Sequence, residues 1–233
     1  NAGAHAFAAI GHALFNRERT GRGTHLDISM VDALFHMQDL PVHAESMTGG
    51  EYGAIRQGTD FQMLSPAGSF QGPEGWIVIL CAEAQIANLY EAMGKSELGE
   101  DPRFQGNPAR LENRKELTSI IEKWMSSFNS DQEVLETLQN HRVPCGPVLT
   151  PNETLTHPHF VERGTIRTVE DPLLGNVQIP GFPFKSSYPL PDDSYVAAAL
   201  GEHNHEVLTN ELGKSAEEIT HLENSGVIAS KPH

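Results

Sequence analysis

Residues 3–39 switch their apolar period twice within a short span, and no other feature constrains the fold as strongly. In 3–16, Phe7, Ile10, Leu14 and Phe15 recur at helical spacing with alanines between them, which predicts a helix. That helix should stop in 17–23, where Gly21 and Gly23 tolerate backbone conformations other residues resist. In 25–30, Leu26, Ile28 and Met30 alternate with His25, Asp27 and Ser29, the pattern of a half-buried strand. Ser29 is placed to cap a second helix over 30–39. Helix, strand and helix in close succession belong to an α/β pattern.

Residues 41–74 are polar, rich in Gly and Pro and without period, so one long loop is expected. The run 76–81, WIVILC, reads as a short strand, followed by a helix over 83–93 that Gly94 ends. Residues 101–104, DPRF, read as a turn. Leu111, Leu117, Ile120, Ile121, Trp124 and Phe128 mark one amphipathic helix over 108–128. Ser130 and Glu133 form a capping-box pair for the helix after it. The run 143–149, VPCGPVL, leads to a helix over 152–163. Residues 165–190 are β- and Pro-rich, and 201–223 are helical with Ser215 as an N-cap. The expected division is helix–strand–helix over 1–40, a linker over 41–59, a compact α+β unit over 60–150 and a tail over 151–233.

At 233 residues and 25.5 kDa the chain can hold one large domain or two small ones. Its formal charge of −15 argues against nucleic acid or an anionic membrane as a partner, because such binding needs clustered Lys and Arg. No apolar run has the length of a membrane span. The first residues lack the basic region and cleavage pattern expected of a signal peptide. Cys81 and Cys145 are expected as free thiols in a reducing, cytoplasmic compartment.

Residue types alone carry little chemistry. There is no P-loop, dinucleotide fingerprint, HExxH or CxxC. The pairs His157/His159 and His203/His205 lack the further ligands a metal site needs, so no metal is expected. Arg17, Arg19 and Arg22 either complement the C-terminal dipole of the first helix or contact an anion or neighbouring subunit. Glu83 follows the strand at 76–81. It is either a first-turn carboxylate or a residue facing a cleft. SPAGS, 65–69, reads as a turn, since it does not match the G-x-S-x-G nucleophile elbow.

The run RERTGRGTHLDISMVDAL, 17–34, resembles the most recognisable segment of the family III CoA-transferases, whose relatives include the α-methylacyl-CoA racemases. AHAFAAIGHAL (4–14), the run 65–94, DPRF (101–104), NR with KEL (113–117), VPCGPVL (143–149), HPHFVERG (157–164) and LGEHNHEVL (200–208) resemble later landmarks in the same order.

The resemblance implies an α/β fold: the C-terminal part of the family fold, with part of a large Rossmann-like domain plus a small α+β domain. In the family two subunits interlock. By analogy 1–40 and 151–233 belong to the large domain and 60–150 to the small one. The implied reaction moves coenzyme A between carboxylic acids through an aspartyl-CoA intermediate. The nucleophilic aspartate is expected just ahead of Asn1, so this chain alone is expected to be inactive. Coenzyme A or its acyl ester enters as substrate, with no tightly bound cofactor. The expected partners are a small carboxylic acid, an acyl-CoA, and a second copy or an N-terminal half. The resemblance points to Arg56, Gly58 and Thr59 as a substrate loop, to Glu83 as an acidic wall of the site, and to His5 as a pocket residue or a helix-packing one. A racemase of the same fold and a non-catalytic dimerising subunit remain as alternatives. Large-domain pieces without their neighbours would expose apolar surface and associate.

Overall fold

The computed structural model describes residues 1–188 and 197–229. The end of the Pro-rich stretch at 189–190 lies outside the described residues, as do 191–196 and 230–233. Two compact units divide the chain, Asn1–Val148 and Leu149–His233.

The first unit opens with α1 (Ala2–Thr20), α2 (Met30–His36) and α3 (Asp39–Met47). α1 continues past Asn16 and stops at Gly21, whose φ of 70° is the left-handed C-cap. Ser29 caps α2 as expected, its hydroxyl accepting from the Asp32 N–H. The strand expected over 25–30 does not form. A strand needs a neighbour for its N–H and C=O groups, and no described strand pairs with this segment. Residues 41–74 are not one loop either: they hold most of α3 and all of β1 (Ala67–Gln71). Pro41 sits in the first turn of α3, where its missing N–H costs nothing.

β1, β2 (Trp76–Leu80) and β3 (Cys145–Pro147) form an antiparallel sheet in the order β1-β2-β3. Ala67 faces Leu80, Gln71 faces Trp76, and Ile77 faces Pro147. The pleat of β2 buries Ile77 and Ile79 on one face and turns Trp76, Val78 and Leu80 to the other. After a 3₁₀ turn at Glu83–Gln85 come α4 (Ile86–Ala92), α5 (Gly106–Glu112), α6 (Arg114–Met125) and α7 (Asp131–Asn140). Leu89, Leu117, Ile121, Met125, Val134 and Leu138 are fully buried with the two isoleucines of β2. Burying each such side chain is worth about 1.5–3 kcal/mol.

The helix expected over 108–128 is two, α5 and α6, broken at Asn113 (φ −99°, ψ 23°). The Asn113 side chain donates to the carbonyls of Arg103 and Ala109, a local bond that competes with helix continuation. Ser130 caps α7 by accepting from the Glu133 N–H. The capping box is not closed, because the Glu133 carboxylate accepts from the Asn129 N–H instead.

In the second unit, α8 (Pro151–Thr156) and α9 (Pro158–Glu162) replace the single helix expected over 152–163. Pro158 forces His157 to extended backbone, with ψ at 127°. β4 (Ile166–Asp171) and β5 (Gly175–Pro180) form an antiparallel hairpin. α10 (Asn204–Glu206) runs into a π-turn at Val207–Glu211, and α11 (Ala216–Asn224) follows. Ser215 and Glu218 close a full capping box on α11. No helix among the described residues is long and apolar enough to cross a membrane.

Candidate functional site

β2 delivers the chain through Cys81 to Glu83, which opens the 3₁₀ turn. The Glu83 carboxylate accepts from Arg110 Nη2 at 2.5 Å. The two partners differ sharply in environment: the Arg110 side chain is 1% exposed and that of Glu83 is 64% exposed. Arg110 therefore reaches from inside the core to a carboxylate at its edge. Its Nε donates to the Ser65 carbonyl at 2.7 Å and its Nη1 to the Phe104 carbonyl at 3.1 Å. A guanidinium cannot lose its proton in a protein, so this buried cation requires an anion beside it, and Glu83 supplies one.

Beside the pair lies Cys81, fully buried. Burial pushes its thiol up to about 12, with Arg110 opposing and Glu83 adding. Burial likewise pushes the Tyr90 hydroxyl up to about 12. A thiol held that way stays protonated at neutral pH and is no nucleophile. Cys81 and Cys145 are both free.

Arg56, Gly58 and Thr59 lie in the loop between α3 and β1. Gly58 has φ 66°. The Thr59 carbonyl accepts from the Ser69 N–H at 3.0 Å. That approach demands glycine at 68: a Cβ there would sit 2.2 Å from the Thr59 oxygen, at φ +148°. SPAGS is thus more than a turn, because it feeds β1. Gln62 ties the loop across itself, accepting from the Ile55 N–H at 3.1 Å and donating to the carbonyls of Tyr52 and Gly53 at 3.2 and 3.1 Å. Arg114 donates to Gln57 Oε1 and to the Phe61 carbonyl, each at 2.8 Å, and lies 3.8 Å from the Asp60 carboxylate. Arg56, Gly58 and Thr59 themselves face solvent.

His5 belongs to a different neighbourhood. Its ring packs edge-on against His36 of α2, with centroids 5.4 Å apart, and its Nδ1 lies 3.2 Å from the Asn1 carbonyl oxygen. Among the described residues no hydrogen bond or ion pair joins it to Glu83 or to 56–59. Arg17 pairs with Glu18 at 3.5 Å, and Arg19 lies over the Phe15 ring. His203 pairs with Glu206 and His205 with Glu223. His157 accepts from the His159 N–H at the start of α9.

Residues 1–204 match CoA-transferase family III. The chain belongs to that family. It is 31% identical over 226 residues to the succinyl-CoA–D-citramalate CoA-transferase of Chloroflexus aurantiacus, covering 95% of this chain and 56% of that protein. It is 32% identical over 241 residues to the formyl-CoA:oxalate CoA-transferase of Streptomyces coelicolor, covering 97% of this chain and 58% of that protein. The crystal structure of a CaiB/BaiF family protein from Brucella suis superposes with a TM-score of 0.73 at 26% identity, covering 88% of this chain and 53% of that one. The chain thus spans little more than half the length of these relatives, and its mixed α/β architecture is part of the family III fold.

Sequence reading singled out Glu83 and the 56–59 loop but not the side chains that bond to Glu83 and to the stretch 57–65: Asn107, Arg110 and Arg114. A signal was present. Arg110 and Arg114 fall in line with Leu117, Ile121 and Met125 at steps of three and four. A cation on the buried stripe of an amphipathic helix needs buried partners.

Proposed function

We propose that the chain is part of an enzyme that moves coenzyme A from an acyl-CoA to a small carboxylic acid. The observation that carries this reading is the family match over 1–204, supported by CoA-transferase relatives at 31 and 32% identity. An aspartate just ahead of Asn1 attacks the donor thioester carbonyl and expels coenzyme A thiolate, leaving a mixed anhydride. The thiolate attacks the aspartyl carbonyl and releases the donor acid, giving an aspartyl-CoA thioester. The acceptor carboxylate then displaces the thiolate to form a second anhydride. The thiolate attacks its acceptor carbonyl and frees the aspartate. Covalent catalysis splits one hard transfer into four easier displacements.

Within this chain, Arg56, Gly58 and Thr59 offer a cation and backbone donors to the ester and to oxyanions formed on the way. Glu83, pinned by Arg110, is a fixed acceptor at the wall of the site, and His5 lies near the aspartate in sequence. The assembly is an interlocked homodimer in which the upstream half supplies most coenzyme A contacts.

Succinyl-CoA and a labelled dicarboxylic acid test the reading, with this chain alone and joined to its upstream half. The chain alone should give no exchange. The joined polypeptide should form the labelled acyl-CoA and gain the mass of coenzyme A when donor alone is present. Deuterium uptake at the α-carbon of a 2-methylacyl-CoA without exchange would overturn transfer in favour of racemisation. Stoichiometric binding of the ester to this chain alone would overturn the placement of the coenzyme contacts upstream.

A further inference from the structure

We propose that Arg114 is a positioning residue for the 56–59 loop, and that the α5–α6 elbow holds this loop and Glu83 as one piece. The inference rests on the reading of that loop and of Glu83 as this chain's share of the CoA-ester site.

Three side chains on the elbow face the same stretch of backbone. Asn107 accepts from the Ser65 N–H at 3.0 Å and donates to the Met63 carbonyl at 2.8 Å. Arg110 takes the Ser65 carbonyl and Glu83. Arg114 takes Gln57 and Phe61 through its two Nη atoms, while its buried Nε has no partner. The fork of Arg114 is thus spent on the loop rather than on its own helix. The loop has little regular structure of its own, since between α3 and β1 it carries only the bridge of Asp60 to Gly68. Its shape is set by side-chain bonds, those of Gln62 within the loop and those of Glu45, Asn107, Arg110 and Arg114 reaching in. Arg110 and Arg114 extend from adjoining turns of one elbow, so a shift of the elbow moves the loop and Glu83 together. A planar five-donor fork can hold two acceptors at fixed separation, which a lysine ammonium on a flexible stem cannot.

Arg56 provides the readout, because trypsin cleaves after it and needs local opening to do so. In Arg114→Met, cleavage after Arg56 should accelerate about tenfold, as expected when a braced loop opens locally. Cleavage after Lys214, in the other unit, should keep its rate. Arg114→Lys should fall close to Arg114→Met, since the charge without the fork does not brace the loop. In the transfer-competent polypeptide the same variants should raise KM for the acyl-CoA about tenfold, with kcat within about twofold. Equal acceleration at every tryptic site, or none after Arg56, overturns the positioning role whatever the transfer assay reports. A loosened loop with unchanged KM also overturns the proposal, and places the failure in the reading of the loop as a substrate contact. Full rescue by Arg114→Lys would reduce Arg114 to a structural charge and overturn it as well.

Discussion

Two stretches of the first unit are both helical and both rich in apolar residues, yet only one of them is packed. α6 buries Leu117, Ile121 and Met125 completely. α1 buries nothing: Phe7 is 69% and Phe15 65% exposed. The core cluster of this unit takes no residue before Phe70. Both helices were legible from the same 3.6-residue period. The 3.6-residue period reports a face that wants cover, and not whether the cover is present. An isolated helix is marginal in water without a packed face, so α1 depends on contacts that the core of this unit does not supply.

The sharpest way to break that contrast is to truncate one side chain in each stretch. Leu117→Ala should cost about 3 kcal/mol, the loss of burial plus a cavity. Ile10→Ala, at a position half exposed, should cost no more than about 0.5 kcal/mol. Trp76 and Trp124 both lie in the packed part, so urea unfolding followed by tryptophan fluorescence reads both variants. An equal loss at Ile10 would mean that α1 unfolds with the core.

A smaller effect should follow from the buried cation. Arg110→Met leaves the Ser65 and Phe104 carbonyls without their donor, a cost of about 2 kcal/mol for stranded buried acceptors. The Glu83 carboxylate is mostly exposed and can turn to water, which limits the loss. Arg17→Met in α1 removes a solvated pair with Glu18, worth about 0.5 kcal/mol at most. Thermal unfolding of both variants ranks them, and a larger loss at Arg17 would invert the contrast.

β2, α4 and the α6 stripe stood out because apolar period and burial agree there. The strand expected over 25–30 alternates correctly in sequence but has no strand to pair with among the described residues, and alternation cannot supply one. The breaks at Asn113 and His157 arise from one side chain's local bonds and one proline. They interrupt an apolar period without changing it. Glu83 was singled out by its place after a strand and by the family resemblance. Arg110 and Arg114 were passed over because a cation in a helix reads as a solvent-facing residue.

Alkaline pH should act on the packed stretch alone. Cys81 is raised from its ordinary 9.0 to about 12, and Tyr90 from 10.0 to about 12, both chiefly by burial. The folded state therefore keeps protons that the unfolded chain releases above pH 9. Stability is full below that pH and falls as pH rises from about 9 towards 12. Between pH 8 and 10 most of the loss should come from Cys81, whose thiol ionises there in the unfolded chain but not in the folded one. Cys81→Ala lowers stability overall but should flatten this slope, as urea midpoints against pH would show. An unchanged slope would mean that the thiol does not titrate on unfolding.

The smallest effect separates the two stretches by their caps. Ser130 accepts from the Glu133 N–H at 3.3 Å and Ser29 from the Asp32 N–H at 3.2 Å. The bonds match, but the helices do not: α7 buries Val134, Leu135 and Leu138, whereas α2 buries only Ala33. A cap contributes to the unfolding transition only if its helix melts with the core. Ser130→Ala should therefore lower stability by about 1 kcal/mol, the usual worth of such a cap. Ser29→Ala should leave the tryptophan transition in place and reduce only the helical circular dichroism before it. Equal shifts at both positions would show that α2 and the core unfold together, and would make the exposed apolar face of α1 a property of a cooperative unit.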